Sequence, residues 1–205
     1  TIRQVDPLFV MDLSDPFKPV ILGQLKIPGY SNYLHPYDDK HIIGFGKDAD
    51  ENGRDMGMKM AIFDVSDYTN PIEKHSEYIG DRGTHSQLLY NHKALLFSKE
   101  KNLLAFPVSL YEIPESRKND KNAYGMFKFQ GLYVYNISLD SGFGLRGRIS
   151  HITEEEMKKF GNVIEGSAAV VERGLYIGES LYTISEFGIM ANNLSTLEQE
   201  GLVKY

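Results

Sequence analysis

An apolar strand that ends on Asp or Asn and runs into a Ser-containing turn occurs four times in this chain. It reads FVMDLSDPFKP at 9–19, AIFDVSDYTNP at 61–71, YVYNISLDSG at 133–142 and GIMANNLSTLE at 188–198. The polar anchors Asp12, Asp64, Asn136 and Asn192 are spaced 52, 72 and 56 residues apart. Between them lie further short runs, among them KHIIGFG, HKALLFS, NLLAFPVSL, GLYIG and SLYTIS. These runs favour strands, because they alternate with period two and are rich in β-branched and aromatic residues. The anchor has a local role: a side-chain oxygen there takes hydrogen bonds from nearby backbone N–H groups and fixes a tight turn.

A period near 50 with about four strands per unit is the pattern of propeller blades, whereas a sandwich has closely spaced turns without a longer repeat. The chain therefore reads as all-β, a β-propeller fragment of about three complete four-stranded blades and an outer half-blade. The repeats fall near 1–30, 31–80, 81–152 and 163–205. Residues 1–30 carry only an outer-strand pattern before YLHPYDDKHIIGFG opens the next unit. Inner strands are expected near 34–46, 84–97 and 167–178. The half-blade leaves open sheet edges, which recruit further strands, so closure through the chain's own C-terminal strands or self-association with another copy through those edges is expected. The opening TIRQVDPLFVMD begins in mid-pattern, as a piece of a longer polypeptide would.

Two segments depart from the strand rhythm. HITEEEMKKF places Thr153 three residues before Glu156, the spacing of a capping box, and predicts a short helix near 154–160. IPESRKNDKNAYGMFKF, from Ile113 to Phe129, lengthens the spacing between the second and third anchors. Its charge and Asn content predict a surface loop of the kind that carries specificity.

Composition excludes several function classes. Twenty-eight acidic side chains against 22 basic ones leave a net charge of −6, and no basic cluster is present to hold phosphate, so a nucleic-acid partner is not expected. There are no cysteines, which removes disulfides, thiolate metal sites and cysteine nucleophiles. No apolar run reaches the roughly 18 residues of a membrane span.

The blocks DPLFVMDLSDPFKPVILGQLKIPGYSNYLHPYDDKHIIGFGKDADENG, MKMAIFDVSDYTNPIE, NHKALLFSKEKNLLAFPV and LYIGESLYTISEFGIMANNLSTLE resemble bacterial and archaeal secreted proteins with a C-terminal β-propeller domain, distantly related to WD-repeat propellers. The resemblance covers nearly the whole chain and is weakest in the insertion and the helix region. It implies a propeller, a secreted or cell-envelope location and a much longer parent protein. It brings no catalytic residues.

The six histidines form no HxH or HExxH pair, and the chain has no GxSxG elbow or phosphate-binding glycine loop. An extracellular binding or scaffold module for a protein or polysaccharide ligand fits that pattern. The alternative is a metal-dependent propeller hydrolase or lyase with His35, His85 and Glu165 meeting at a central channel. Tyr33, Tyr37 and Tyr124 are expected in loops, where they would contribute to a binding face. The most specific local signal is GKDADENGRDMG, whose Asp48, Asp50, Asn52, Gly53 and Arg54 follow the first part of a calcium loop. Lys59 stands where the closing bidentate carboxylate belongs, and Asp55 is the available substitute. The candidate calcium ligands are Asp48, Asp50, Asn52, Arg54 (through its carbonyl) and Asp55. The same residues also suit a plain hairpin turn.

Overall fold

The computed structural model describes residues 7–50, 52–159 and 167–205. Two compact units divide the chain, Thr1–Ile79 and Gly80–Tyr205. The first unit holds two sheets. Strands β1 (Leu8–Asp12) and β2 (Val20–Leu25) form a two-stranded sheet. Strands β3 (Tyr30–Asp38), β4 (His41–Ala49), β5 (Asp55–Asp64) and β6 (Ile72–Ile79) form an antiparallel sheet in chain order. The second unit holds two more sheets of four strands. One comprises β7 (Leu96–Ser98), β8 (Leu103–Glu112), β9 (Met126–Ser138) and β10 (Gly142–Ile149); the other comprises β11 (Arg173–Ile177), β12 (Ser180–Ser185), β13 (Gly188–Asn193) and β14 (Gln199–Lys204). Three complete four-stranded sheets and a half-sheet are the architecture the repeat predicts.

The four anchors occupy equivalent places, each at or near the end of the third strand of a sheet, or, for Asp12, at the end of β1. Asp12 Oδ1 accepts the Ser14 N–H at 2.8 Å, and Asp64 Oδ1 accepts the Ser66 N–H at 2.8 Å. A second such turn follows at once in both: Asp15 takes the Phe17 N–H and Asp67 the Thr69 N–H, each at 3.0 Å. In the other two sheets the turn bond moves along the chain, to Ser138 for the Ser141 N–H and to Asn193 for the Ser195 N–H. Asn136 is thereby released to receive the Arg146 guanidinium at 2.6 Å.

A one-residue bulge recurs beside every anchor. The third and fourth strands slip register between Val10 and Met11, between Ile62 and Phe63, at Arg146 opposite Val134 and Tyr135, and between Ala191 and Asn192. Each bulge adds local twist at one place in the sheet. This shared irregularity makes β1 the counterpart of β5, β9 and β13.

The first unit buries Ile43, Phe45, Met58, Met60, Ile62 and Phe63 almost completely. In the second unit Leu103, Ala105, Leu132, Val134, Ile149, Val171, Leu181, Met190 and Leu194 form one core cluster. Side chains of this size contribute about 1.5–3 kcal/mol each when fully buried, which is what holds strands with few cross-links together.

The expected helix forms, and two other expectations are modified. The helix forms as α1 (Glu154–Lys159), with Glu156 Oε2 accepting the Thr153 N–H at 2.9 Å and Thr153 Oγ1 accepting the Glu156 N–H at 3.2 Å; residue 160 lies outside the described residues. The insertion is shorter as a loop than expected, because Met126–Phe129 extends β9 against Leu110–Glu112. The strand expected over 84–97 is interrupted. His85 pairs with Ser109 as an isolated bridge, and β7 resumes only at Leu96. Ser86 and Asn91 cap two single-turn 3-10 helices in between, Gln87–Leu89 and His92–Ala94, by accepting the Leu88 and Lys93 N–H groups. Cap chemistry overrides strand pattern there.

Candidate functional site

The sheets of the second unit have two unlike ends. At one end the connections are tight: 99–102, 139–141, 178–179 and 194–198. At the other lie the segment 80–84, the excursion 86–95, the loop 113–125, the short turn 186–187 and, of the connection between β10 and β11, the described residues 150–159 and 167–172. Recognition on a rigid scaffold is carried by such loops.

At this long-loop end a cleft of about 270 Å³ is lined by His85, Gln87, Tyr90, Ser109, Gln130 and Glu172, with Pro107, Val108, Val170 and Val171 as apolar wall. Its two sides are fixed by different devices. On one side the excursion is pinned by buried Leu88, Leu89 and Ala94, and Tyr90 stands out from it with 82% of its surface exposed. On the other, the buried Gln130 amide donates to the Val171 carbonyl and accepts its N–H, both at 2.9 Å, which anchors the chain just before Glu172. His85 Nδ1 lies 3.0 Å from the Gly83 carbonyl. A carbonyl only accepts, so Nδ1 carries the proton and Nε2 is left for another partner.

A second concavity of about 450 Å³ lies at the same end, lined by Gly80, Asp81, Glu112, Glu115, Lys118 and Lys128. Asp81 Oδ2 accepts the Ile113 N–H at 2.6 Å, and Lys118 is held above its ordinary pKa chiefly by its hydrogen bond to Glu115. Arg82 lies 4.0 Å above the Tyr124 ring.

His151 fastens the long connection onto β12. Its Nδ1 meets Ser185 Oγ at 2.7 Å and its Nε2 meets Thr183 Oγ1 at 2.8 Å, and burial depresses its pKa.

In the first unit the acidic loop joins β4 to β5. Asp50 Oδ1 accepts the N–H groups of Asn52 and Arg54 at 2.8 and 3.0 Å, and its Oδ2 receives Arg54 Nε at 2.9 Å. Gly53 takes a positive φ of 76°, which its lack of a side chain permits. These bonds hold the Asp50 carboxyl below its ordinary pKa, the backbone bond from Arg54 first among the causes. Asp48 is shifted the other way, upward, mainly by burial, with Lys59 opposing and Glu73 reinforcing. Asp55 receives the Tyr30 hydroxyl at 3.3 Å. The three carboxylates thus have three different sets of neighbours, and among the described residues no three His, Asp or Glu side chains are grouped to hold a metal.

Other expected site residues are dispersed. Tyr33 and Tyr37 lie within β3 instead of in loops; Tyr33 reaches His35 Nδ1 at 2.9 Å and Tyr37 is buried, since strand alternation turns them onto the sheet. Tyr124 does lie in a loop. His35 belongs to the first unit and His85 to the second, and Glu165 lies outside the described residues. Gln87, Tyr90, Ser109 and Glu172 were not marked by any motif. The one sequence signal for the cleft was the pair of cap residues Ser86 and Asn91 inside an apparent strand.

A family model described as a beta propeller domain matches residues 1–197. An uncharacterized protein of Archaeoglobus fulgidus is 41% identical over 107 residues, covering 52% of this chain and 16% of that protein. An uncharacterized protein of Methanocaldococcus jannaschii is 48% identical over 73 residues, covering 36% of this chain and 11% of that protein. The matched stretches are thus small parts of both relatives.

Proposed function

The chain belongs to the beta propeller domain family, and from that premise we propose that it is a binding module that recognises polysaccharide at the long-loop end of its second unit. The observation that carries this reading is the cleft lined by Tyr90 and Glu172, in which an exposed aromatic ring shares one concavity with the polar side chains of Gln87, Ser109, His85 and Glu172. A pyranose presents an apolar C–H face and a rim of hydroxyls. Tyr90 offers the ring for the first. Gln87, Ser109, Glu172 and His85 Nε2 offer acceptors and donors for the second. Few polar groups in a partly apolar concavity is the usual composition of a small-ligand site. An extracellular or cell-envelope setting belongs to the same reading, because such polymers are abundant there and the sequence resembles secreted propeller proteins.

The test is a carbohydrate array followed by titration calorimetry on any oligosaccharide retained. Tyr90→Ala and Glu172→Gln should each weaken binding about tenfold, close to 1.4 kcal/mol, while leaving the melting temperature unchanged. Binding that survives both substitutions places the ligand elsewhere. An array without retained sugars, together with capture of a protein through the same two side chains, replaces polysaccharide with a protein ligand.

A further inference from the structure

The cleft of the second unit is not neutral. Among the described residues its lining holds a single carboxylate, that of Glu172, and neither Lys nor Arg. Glu172 is half-buried, and its backbone is held from two sides. The Gln130 amide fixes Val171 through two bonds of 2.9 Å, and the Glu172 N–H donates to the Ile184 carbonyl at 2.9 Å. Arg173 comes next in the chain but begins β11 and stays outside the lining. His85 turns its Nδ1 onto the Gly83 carbonyl. Two partly buried carboxylates elsewhere are each matched by a cation: Glu73 meets Lys59 Nζ at 2.7 Å, and Asp50 meets Arg54 Nε at 2.9 Å. The carboxylate in the cleft has no such partner among the described residues.

This charge discriminates between sugars. A carboxylate drawn partly out of water gains most from a group of opposite charge. A hydroxyl returns an ordinary hydrogen bond, whereas an ammonium returns a charge-assisted one roughly twice as strong. A uronate or sulfated sugar meets like charge in the cleft, with no basic side chain in the described lining to offset it.

We propose that the polysaccharide bound in this cleft is built from sugars with free amino groups, and that Glu172 receives an ammonium of the chain while the Tyr90 ring carries the sugar. The proposal rests on the reading of the cleft as a carbohydrate site and adds the class of sugar it takes.

Titration calorimetry on the whole chain tests it with oligomers of equal length: glucosamine with free amines, its fully N-acetylated form, and galacturonate. The glucosamine oligomer should bind about tenfold or more tighter than the acetylated one, and the galacturonate oligomer should not bind. Glu172→Gln should bring the first two within about twofold of each other, while Tyr90→Ala should weaken both alike. Asp140→Asn removes the same charge from the tight-turn end and should leave the preference intact. Equal binding of the free and acetylated oligomers, a preference that survives Glu172→Gln, or tighter binding of galacturonate overturns the proposal. A preference lost equally with Asp140→Asn reduces it to attraction by the net charge of −6 and also overturns it. Retention of other sugars on the array without binding of the glucosamine oligomer overturns the proposal alone. An array without any retained sugar overturns the carbohydrate reading itself, and the proposal falls with it.

Discussion

At the scale of single residues, buried His151, half-buried His35 and the turn carboxylates give the clearest consequences. Burial depresses the pKa of both His35 and His151, so the folded state favours their neutral forms. The unfolded chain then takes up protons first as pH falls below about 6.5, and the stability present above that value is lost on further acidification. The melting temperature should therefore fall from about pH 7.5 to about pH 5.5, and His151→Gln should flatten part of that slope without abolishing it, because His35 remains. His151→Phe is expected to cost about 2 kcal/mol at neutral pH, since Thr183 and Ser185 lose a buried partner; urea unfolding measures it. Asp50 completes the β4–β5 turn from its own side chain. Asp50→Ala should accelerate exchange of the Asn52 and Arg54 amides in calcium-free buffer. A calcium-dependent rise in melting temperature that Asp48→Ala with Asp50→Ala removes would instead assign an ion to the loop. The residue types of that loop were readable from sequence, but the Arg54–Asp50 contact was not, because Arg54 reaches Asp50 with a side chain whose direction no spacing rule fixes.

At the scale of elements, the repeated anchor was legible because it is local chemistry: Asp12 and Asp64 make the turn bonds their spacing suggests. The recurring bulge was not, since it depends on pairing between strands. One position where it matters is Gly23, just after the bulge in β2. A Cβ there would lie 2.2 Å from the Tyr68 carbonyl oxygen and 3.0 Å from Pro71 Cδ, so the half-sheet reaches the β5–β6 turn only with a bare backbone. Gly23→Ala should destabilise the first unit by roughly 1–3 kcal/mol, read by chemical denaturation, with exchange in the second unit unaltered. The interruption at 86–95 shows the opposite limit. SQLLYNHKALLFS alternates well enough to pass for a strand, yet the hydroxyl of Ser86 and the amide of Asn91 each stabilise a turn of 3-10 helix at less cost than continued pairing. The cleft and Tyr90 arise from that exception.

At the scale of the molecule, four sheets were legible because their period survives insertions, while the cleft was not, because its walls come from residues as distant as His85, Gln130 and Glu172. The acidic balance of the chain also acts at this scale. With a net charge of −6, the chain should leave duplex DNA unshifted in gel electrophoresis at roughly 0.15 M salt. A shifted band that disappears with added salt would reveal a basic face. One architectural fact reaches beyond binding. Every strand ladder described joins neighbours along the chain, so the sheet from Tyr30 to Ile79 needs nothing made after it to complete its hydrogen bonds. Contacts of short sequence separation form quickly, and during synthesis each sheet can close before the next has emerged. The time to the native state is then governed by packing of finished sheets, and substitutions in the long loops should leave folding rates almost untouched.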